Sequence, residues 1–243
     1  MSIAVVQVVG VSGTGSAITS VTTAGITTTT ANLVILNGQK LTYVTAGAPT
    51  FSDSNSNSWA AESIAVTTYG SVTKADYRER YNANITGGAS HTFTLNGGGI
   101  NSYPVLIATE VSGHAASPLD QVATATNTSS TTHTSASTAT TSQNNELLHG
   151  CGMDDFGVTG ATHSVSAPWT QDFEKNEVAA GGTPGGISAS QIVAATGTYS
   201  FTYTTDTNTN LYLSTISTWK EAAGGGSSIV PIVDRQYRTR WAA

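Results

Sequence analysis

The chain has 243 residues, 38% of them hydrophobic and only 10% charged, with a formal net charge of −6. Against roughly 25% charged residues in an ordinary soluble domain, its polarity comes from Thr, Ser, Asn and Gly, an alphabet of strands and turns that leaves little room for helix. The negative charge argues against general affinity for nucleic acid or anionic membranes, and the single cysteine, Cys151, excludes an intramolecular disulfide framework and an all-cysteine zinc site.

Met1–Gly10 has no basic n-region, and its apolar run is short and β-branched, so a leaderless product made in the host cytoplasm is expected. Ala4–Val11 reads as a buried strand, and Ile18–Val21 continues it after a Gly/Ser turn. Leu33–Leu36 and Leu41–Val44 flank Asn37-Gly38, the dipeptide that suits a two-residue type I′ turn, so a hairpin is predicted there. Further strands are predicted at Ser63–Tyr69, Asp76–Ala83, His91–Leu95, Val105–Val111, Leu147–Gly152, Gln191–Ala195, Thr198–Thr204 and Asn210–Thr218. Many short strands at this spacing predict an all-β sandwich or barrel.

The two halves echo each other. Thr27–Gly38 parallels Thr138–Gly150, Gly88–Leu95 parallels Gly197–Tyr203, and Tyr103–Ser112 pairs with Thr209–Trp219, all near an offset of about 110 residues. A half that repeats in order suits one sandwich, residues 1–222, whose halves (about 16–120 and 131–222) give alternate strands to both sheets; two tandem small sandwiches give the same pattern.

The same segments carry a resemblance. The Thr-rich strand leading into Asn32-Leu-Val-Ile35, Phe51–Trp59, Tyr81–Phe93, Ala108–Gly113 and Pro118-Leu-Asp120 resemble the jelly-roll-like β-sandwich module of tailed-phage structural proteins and bacterial surface proteins, over about residues 4–222. The resemblance implies a jelly-roll-type sandwich used for display or adhesion. It brings no catalytic residues.

The tail differs from the body. Ala222–Ser228 reads as a Gly/Ser linker, and Ile229–Ala243 holds three of the five arginines with one Asp, about +2 against about −8 for the rest. Ile229, Val230, Ile232, Arg235, Tyr237, Arg238, Arg240 and Trp241 combine apolar, aromatic and Arg chemistry of the kind found at interaction hot spots, so an extended docking arm is expected.

Candidate chemistry is thin. His91, His114, His133, His149 and His163 form no short-spaced pair, so no metal ligand set is expected. Asp53-Ser-Asn-Ser-Asn-Ser-Trp59 begins like a calcium loop, but Ser58 stands where the sharp-turn glycine belongs and Ile64 where a bidentate Glu is needed. Asp154/Asp155 and Glu174/Glu177 are the acid pairs a glycosidase would use. There is no nucleophile elbow, phosphate loop or dinucleotide fingerprint. The sequons at Asn84 and Asn127 are idle without a leader. Trp59 and Trp169 stand at matching places of the halves, as core plugs or as a ligand-facing aromatic pair. Together these readings predict a non-enzymatic virion protein without a cofactor: a head decoration or head fibre, homo-oligomeric, held to other virion proteins by its arm. A tail fibre or glycan-binding adhesin is the alternative and a glycan-degrading enzyme the third reading.

Overall fold

The computed structural model describes residues 2–13, 18–42, 48–69, 74–97, 102–127, 130–154, 161–175, 185–209 and 212–223. The chain is all-β, and the described residues form eighteen strands. The first ten are β1 (Ala4–Ser12), β2 (Ser20–Thr22), β3 (Ile26–Thr28), β4 (Leu33–Thr42), β5 (Thr50–Asp53), β6 (Ala61–Tyr69), β7 (Lys74–Asn82), β8 (Gly88–His91), β9 (Phe93–Asn96) and β10 (Ser102–Ser112). The remaining eight are β11 (His114–Asn127), β12 (Ser130–Thr134), β13 (Glu146–Asp154), β14 (His163–Ser164), β15 (Thr170–Lys175), β16 (Gly186–Val193), β17 (Thr202–Thr209) and β18 (Tyr212–Glu221).

Each half builds its own sheets. The first makes a five-stranded sheet, β1-β10-β4-β7-β6, a three-stranded sheet, β2-β9-β5, and the pair β3-β8; the second makes β11-β18-β13-β16-β15 and β12-β17-β14. The expectation that each half gives alternate strands to both sheets is therefore overturned, because no described strand pairs across the halves. The change of half falls at Gly113, whose φ of 73° lies in the left-handed region and whose missing Cβ leaves room for the Ser2 carbonyl.

Alternation along the strands explains how four layers stack. In β4, Val34 and Leu36 point outward to a core completed by Val21, Phe93 and Leu95 of the small sheet. Leu33 and Ile35 point the other way, to Leu147 and Trp219 of the second half. Val105 and Ile107 of β10 likewise meet Cys151, Met153 and Leu213. The two large sheets thus pack face to face, and each small sheet covers the outer face of its own large one. That is why β13 is buried along its whole length. Both of its faces are covered, so it reads as a continuous run rather than an alternation.

The strand orders match position by position, with β4 corresponding to β13, β10 to β18 and β6 to β15. Across the central interface β1 lies beside β15 and β6 beside β11. Each edge therefore faces the counterpart of the opposite edge, the arrangement of an isologous dimer built within one chain.

The hairpin predicted at Asn37-Gly38 is also overturned: both residues lie inside β4, paired continuously with β7 and β10. Gly38 is there for space. A Cβ on it would come within 2.7 Å of Leu95 and of the Phe51 ring. Its counterpart Gly150 lies directly under the Phe201 ring in the same way. Asn37 faces the central interface, where Tyr77 donates to its Oδ1 at 3.2 Å and its Nδ2 donates to Glu79 at 3.3 Å. A turn dipeptide and a close-packed strand glycine share one sequence signature.

All four edge strands of the large sheets carry a break in register, at Val5/Gln7 in β1, Glu62/Ile64 in β6, Gln171/Phe173 in β15 and twice in β11. The interior pairings are continuous. Bulges at the edges twist them away from a further strand and disfavour edge-to-edge growth.

Candidate functional site: buried histidine–carboxylate centres

Three histidines are fully buried against carboxylates; the first ties two small outer sheets of its half together, and the other two fasten one layer to another. In the first half, β5 brings Asp53 and β8 brings His91, with Nε2 at 3.6 Å from Asp53 Oδ2 and Nδ1 at 2.7 Å from the Thr28 hydroxyl. Asp53 also accepts from the backbone N–H of Asn55 (2.8 Å) and Asn57 (3.1 Å) and from Trp59 Nε1 (2.9 Å). The stretch that begins like a calcium loop therefore turns its carboxylate inward, onto its own backbone and the indole.

The second centre lies between the large sheets. His149 of β13 stands with Nδ1 3.7 Å from Glu79 of β7 and Nε2 3.3 Å from the Thr109 hydroxyl. Nearby, the Tyr77 hydroxyl is 3.3 Å from that of Thr215, and Gln39 Nε2 donates to the Asp154 carbonyl at 2.9 Å. These are side-chain hydrogen bonds running from one half to the other. Burial holds the Tyr77 phenol well above its ordinary pKa, helped by the nearby Glu79 carboxylate. The Cys151 thiol is raised by burial as well, so it stays protonated and packs as a small apolar group.

The third centre holds the most titratable groups. His163 of β14 has Nε2 2.8 Å from Asp154 Oδ2 at the end of β13, and Nδ1 3.6 Å from Glu174 Oε1 on β15. Glu174 Oε1 also accepts the His163 backbone N–H at 2.5 Å, and Asp154 Oδ1 accepts that of Gly185 at 2.6 Å. Beside it His133 of β12 stacks on Tyr212, ring centroids 3.3 Å apart, and its Nε2 is 3.3 Å from the Thr205 hydroxyl. Burial pulls the two histidines the same way, but their neighbours part them. For His133 burial dominates and lowers its pKa to about 4. For His163 the opposing hydrogen bonds and charges of Asp154, then of Glu174, outweigh burial and leave its pKa raised.

Of the acid pairs read from the sequence, one member of each is described. Asp154 and Glu174 come together around His163, while Asp155 and Glu177 lie outside the described residues. His133 and His163 are thirty residues apart in sequence, yet both pack against the Tyr203 ring. Among the described residues no three or more His, Cys, Asp or Glu side chains are placed to hold a metal ion. His149 and His163 each stand against a carboxylate of another sheet, and their geometry is that of a fastening.

Trp59 and Trp169 occupy equivalent places, edge-on to Phe93 and Phe201 at centroid distances of 6.0 and 4.9 Å. Trp59 is 8% exposed and Trp169 half-buried. Trp59 also lines a surface depression of about 170 Å³ with Pro49, Thr50, Phe51 and Arg80. Ile229, Val230, Ile232, Arg235, Tyr237, Arg238, Arg240 and Trp241 lie outside the described residues. The buried centres could be found in the sequence only as individual residues, because their partners come from strands as far as 70 residues apart.

No family model matches the chain, and no curated protein or solved structure is similar to it.

Proposed function

We propose that the chain is a structural protein of a phage virion, a head decoration or head fibre displayed on the particle and anchored through Ile229–Ala243. The observation that carries this reading is the inward use of its polar chemistry. The buried histidines and their carboxylates tie strand to strand and, at two of the three centres, layer to layer, as befits a body that must persist rather than react. Bulged edges suit a protein packed at high local density, since they discourage chance strand pairing between neighbours. The arm, about +2 on a body of about −8, supplies the aromatic and Arg chemistry for attachment to other virion proteins. Repetition by particle symmetry makes an oligomeric array the expected state.

Quantitative mass spectrometry of purified particles tests this. Copy numbers near that of the major shell protein are expected, and loss of incorporation on deleting residues 224–243. Absence from particles, or unchanged incorporation of the truncated chain, overturns the respective part of the reading.

A second reading, a tail fibre or carbohydrate-binding adhesin, draws on the depression beside Trp59, where an aromatic wall meets the Arg80–Glu62 ion pair. It requires saturable glycan binding that Phe51→Ala and Arg80→Ala abolish.

A further inference from the structure

Beyond that reading, the third centre differs from the other two in what it joins. Asp154 sits on the large sheet at the end of β13, Glu174 on its edge strand β15, and His163 on β14, the edge of the small outer sheet. β14 is only two residues long and pairs with β17 alone. Backbone pairing is therefore a weak hold on it. The side-chain link from β14 back to the large sheet is one imidazole between two carboxylates, beside a single backbone bond from the His163 N–H to Glu174.

We propose that Asp154, His163 and Glu174 form a proton-held clasp that fastens the outer sheet β12-β17-β14 to the large sheet of the second half and releases it when His163 loses its proton. With the proton present, one positive charge stands between two negative ones, all withdrawn from water except Glu174, whose side chain is 22% exposed. Without it, Asp154 keeps only neutral hydrogen-bond partners, among them the Gly185 N–H, and the two carboxylates face each other across an uncharged ring. Breaking a buried pair by removing the charge of one partner is costly because the other charge stays buried.

The other groups facing His163 do not replace that charge. On β12, His133 is held neutral down to about pH 4. On β17, Tyr203 is a phenol kept protonated by burial, and Asp206 is exposed, accepting the Thr162 backbone N–H at 2.9 Å. On β18, Tyr212 donates to the Ser130 carbonyl at 2.8 Å. The sign follows from the raised pKa of His163. A folded-state value above the ordinary 6.5 stabilises fully below that value and is lost as pH rises through the folded-state pKa. The clasp is therefore closed below the raised value for His163 and opens on the alkaline side.

Hydrogen exchange of the full chain read by mass spectrometry, with β9 of the first half as internal reference, tests the clasp. As pH rises through the His163 midpoint, followed by the NMR signal of its ring carbon, amides of β12, β14 and β17 should exchange at least roughly tenfold faster relative to β9. His163→Gln should show the faster exchange at every pH. Glu174→Gln, which keeps shape and removes one flanking charge, should lower the His163 midpoint and move the release with it. If His163→Gln does not fold, Glu174→Gln carries the test alone. Exchange in β12, β14 and β17 that tracks β9 across the range, or a His163 midpoint that Glu174→Gln leaves in place, overturns the proposal.

Discussion

The two halves share a frame and differ in how they neutralise their buried polar groups. Gly38 and Gly150 make room for rings, and Trp59 and Trp169 stand edge-on to Phe93 and Phe201. Even a local bond recurs: the Thr23 hydroxyl accepts the Phe93 N–H at 3.1 Å, and the Ser135 hydroxyl accepts the Phe201 N–H at 2.9 Å. The loop entering β4 is held by buried Glu110, which accepts from Gln7 Nε2 (2.5 Å), Thr29 N (2.8 Å) and Asn32 Nδ2 (2.7 Å). All three donors are neutral amides. At the corresponding corner Asp120 accepts the Ser142 N–H (2.6 Å) and hydroxyl (2.7 Å) beside a second acid, Glu146. One frame thus carries a corner whose carboxylate is satisfied by three neutral amides and a corner that sets two acids side by side.

The largest effect expected comes from the asymmetry of the central interface. Trp219 and Thr109 occupy matching positions in β18 and β10, both fully buried and both facing the other half. Trp219→Ala should cost about 3–5 kcal/mol, a large-to-small change in a packed core. Thr109→Ala, which removes a hydrogen bond to His149, should cost about 1–2 kcal/mol. Urea unfolding measures both, and equal losses would mean that the interface does not rest on the indole.

The close-packed glycines give the next contrast. Gly150→Ala drives a methyl into the face of Phe201, whereas Gly38→Ala meets the edges of Phe51 and Leu95 at 2.7 Å. Overpacking of this kind costs about 1–3 kcal/mol. The larger loss should fall on Gly150, and thermal melts of the two variants rank them. Had Gly38 been a turn residue, Gly38→Ala would instead act through positive φ.

That pair also shows what was legible in the sequence. The repeat at an offset of about 110 residues was visible because matched rings and glycines keep their spacing even where identities change. The role of Gly38 was not, since Asn-Gly signals a hairpin unless the ring above it is known, and that ring comes from Phe51. The 14-residue β11, the longest of the described strands, was missed altogether. Its Ala-Ala-Ser-Pro opening is poor in β-branched residues and has two breaks in register, so no period-two pattern forms. Of the third centre, Asp154 and Glu174 were noted as acids, but nothing local says that His163 stands between them. Such placement belongs to tertiary packing, in which strands distant in sequence become neighbours.

The acid corners offer a pH test of the contrast. Glu146 is fully buried, and burial raises its pKa from 4.5 to about 7, with the neighbouring Asp120 adding to the rise. An acid whose folded pKa is raised binds its proton more tightly in the native state, so its contribution is present at low pH and lost as pH climbs from 4.5 through about 7. Glu146→Gln should flatten that slope and leave the protein more stable than the parent at pH 8. Glu110→Gln should lower stability by about 1–3 kcal/mol, because an amide nitrogen would meet donors that now face carboxylate oxygen. Melting temperatures across pH 4–9 separate the two, and a steeper slope in Glu146→Gln than in the parent would remove the distinction between the corners.

The smallest effect expected lies at the surface of the first half. Arg78 and Arg80 of β7 converge on Glu62 of β6 at 3.6 and 2.7 Å, with Glu62 at 32% side-chain exposure. Arg80 also donates to the Ala60 carbonyl at 2.8 Å, so its position does not depend on Glu62 alone. The second half has Ala189 and Gln191 where these arginines stand, yet its sheet has the same strand order. The ion pair is therefore an addition to the frame and not a condition of it. Glu62→Ala should cost about 0–1 kcal/mol, as exposed pairs do, and the difference should shrink at 1 M salt, where the screening length falls to roughly 3 Å. A loss that is larger and indifferent to salt would place Glu62 among the groups that hold the fold, and the first half would then lean on charge as much as the second.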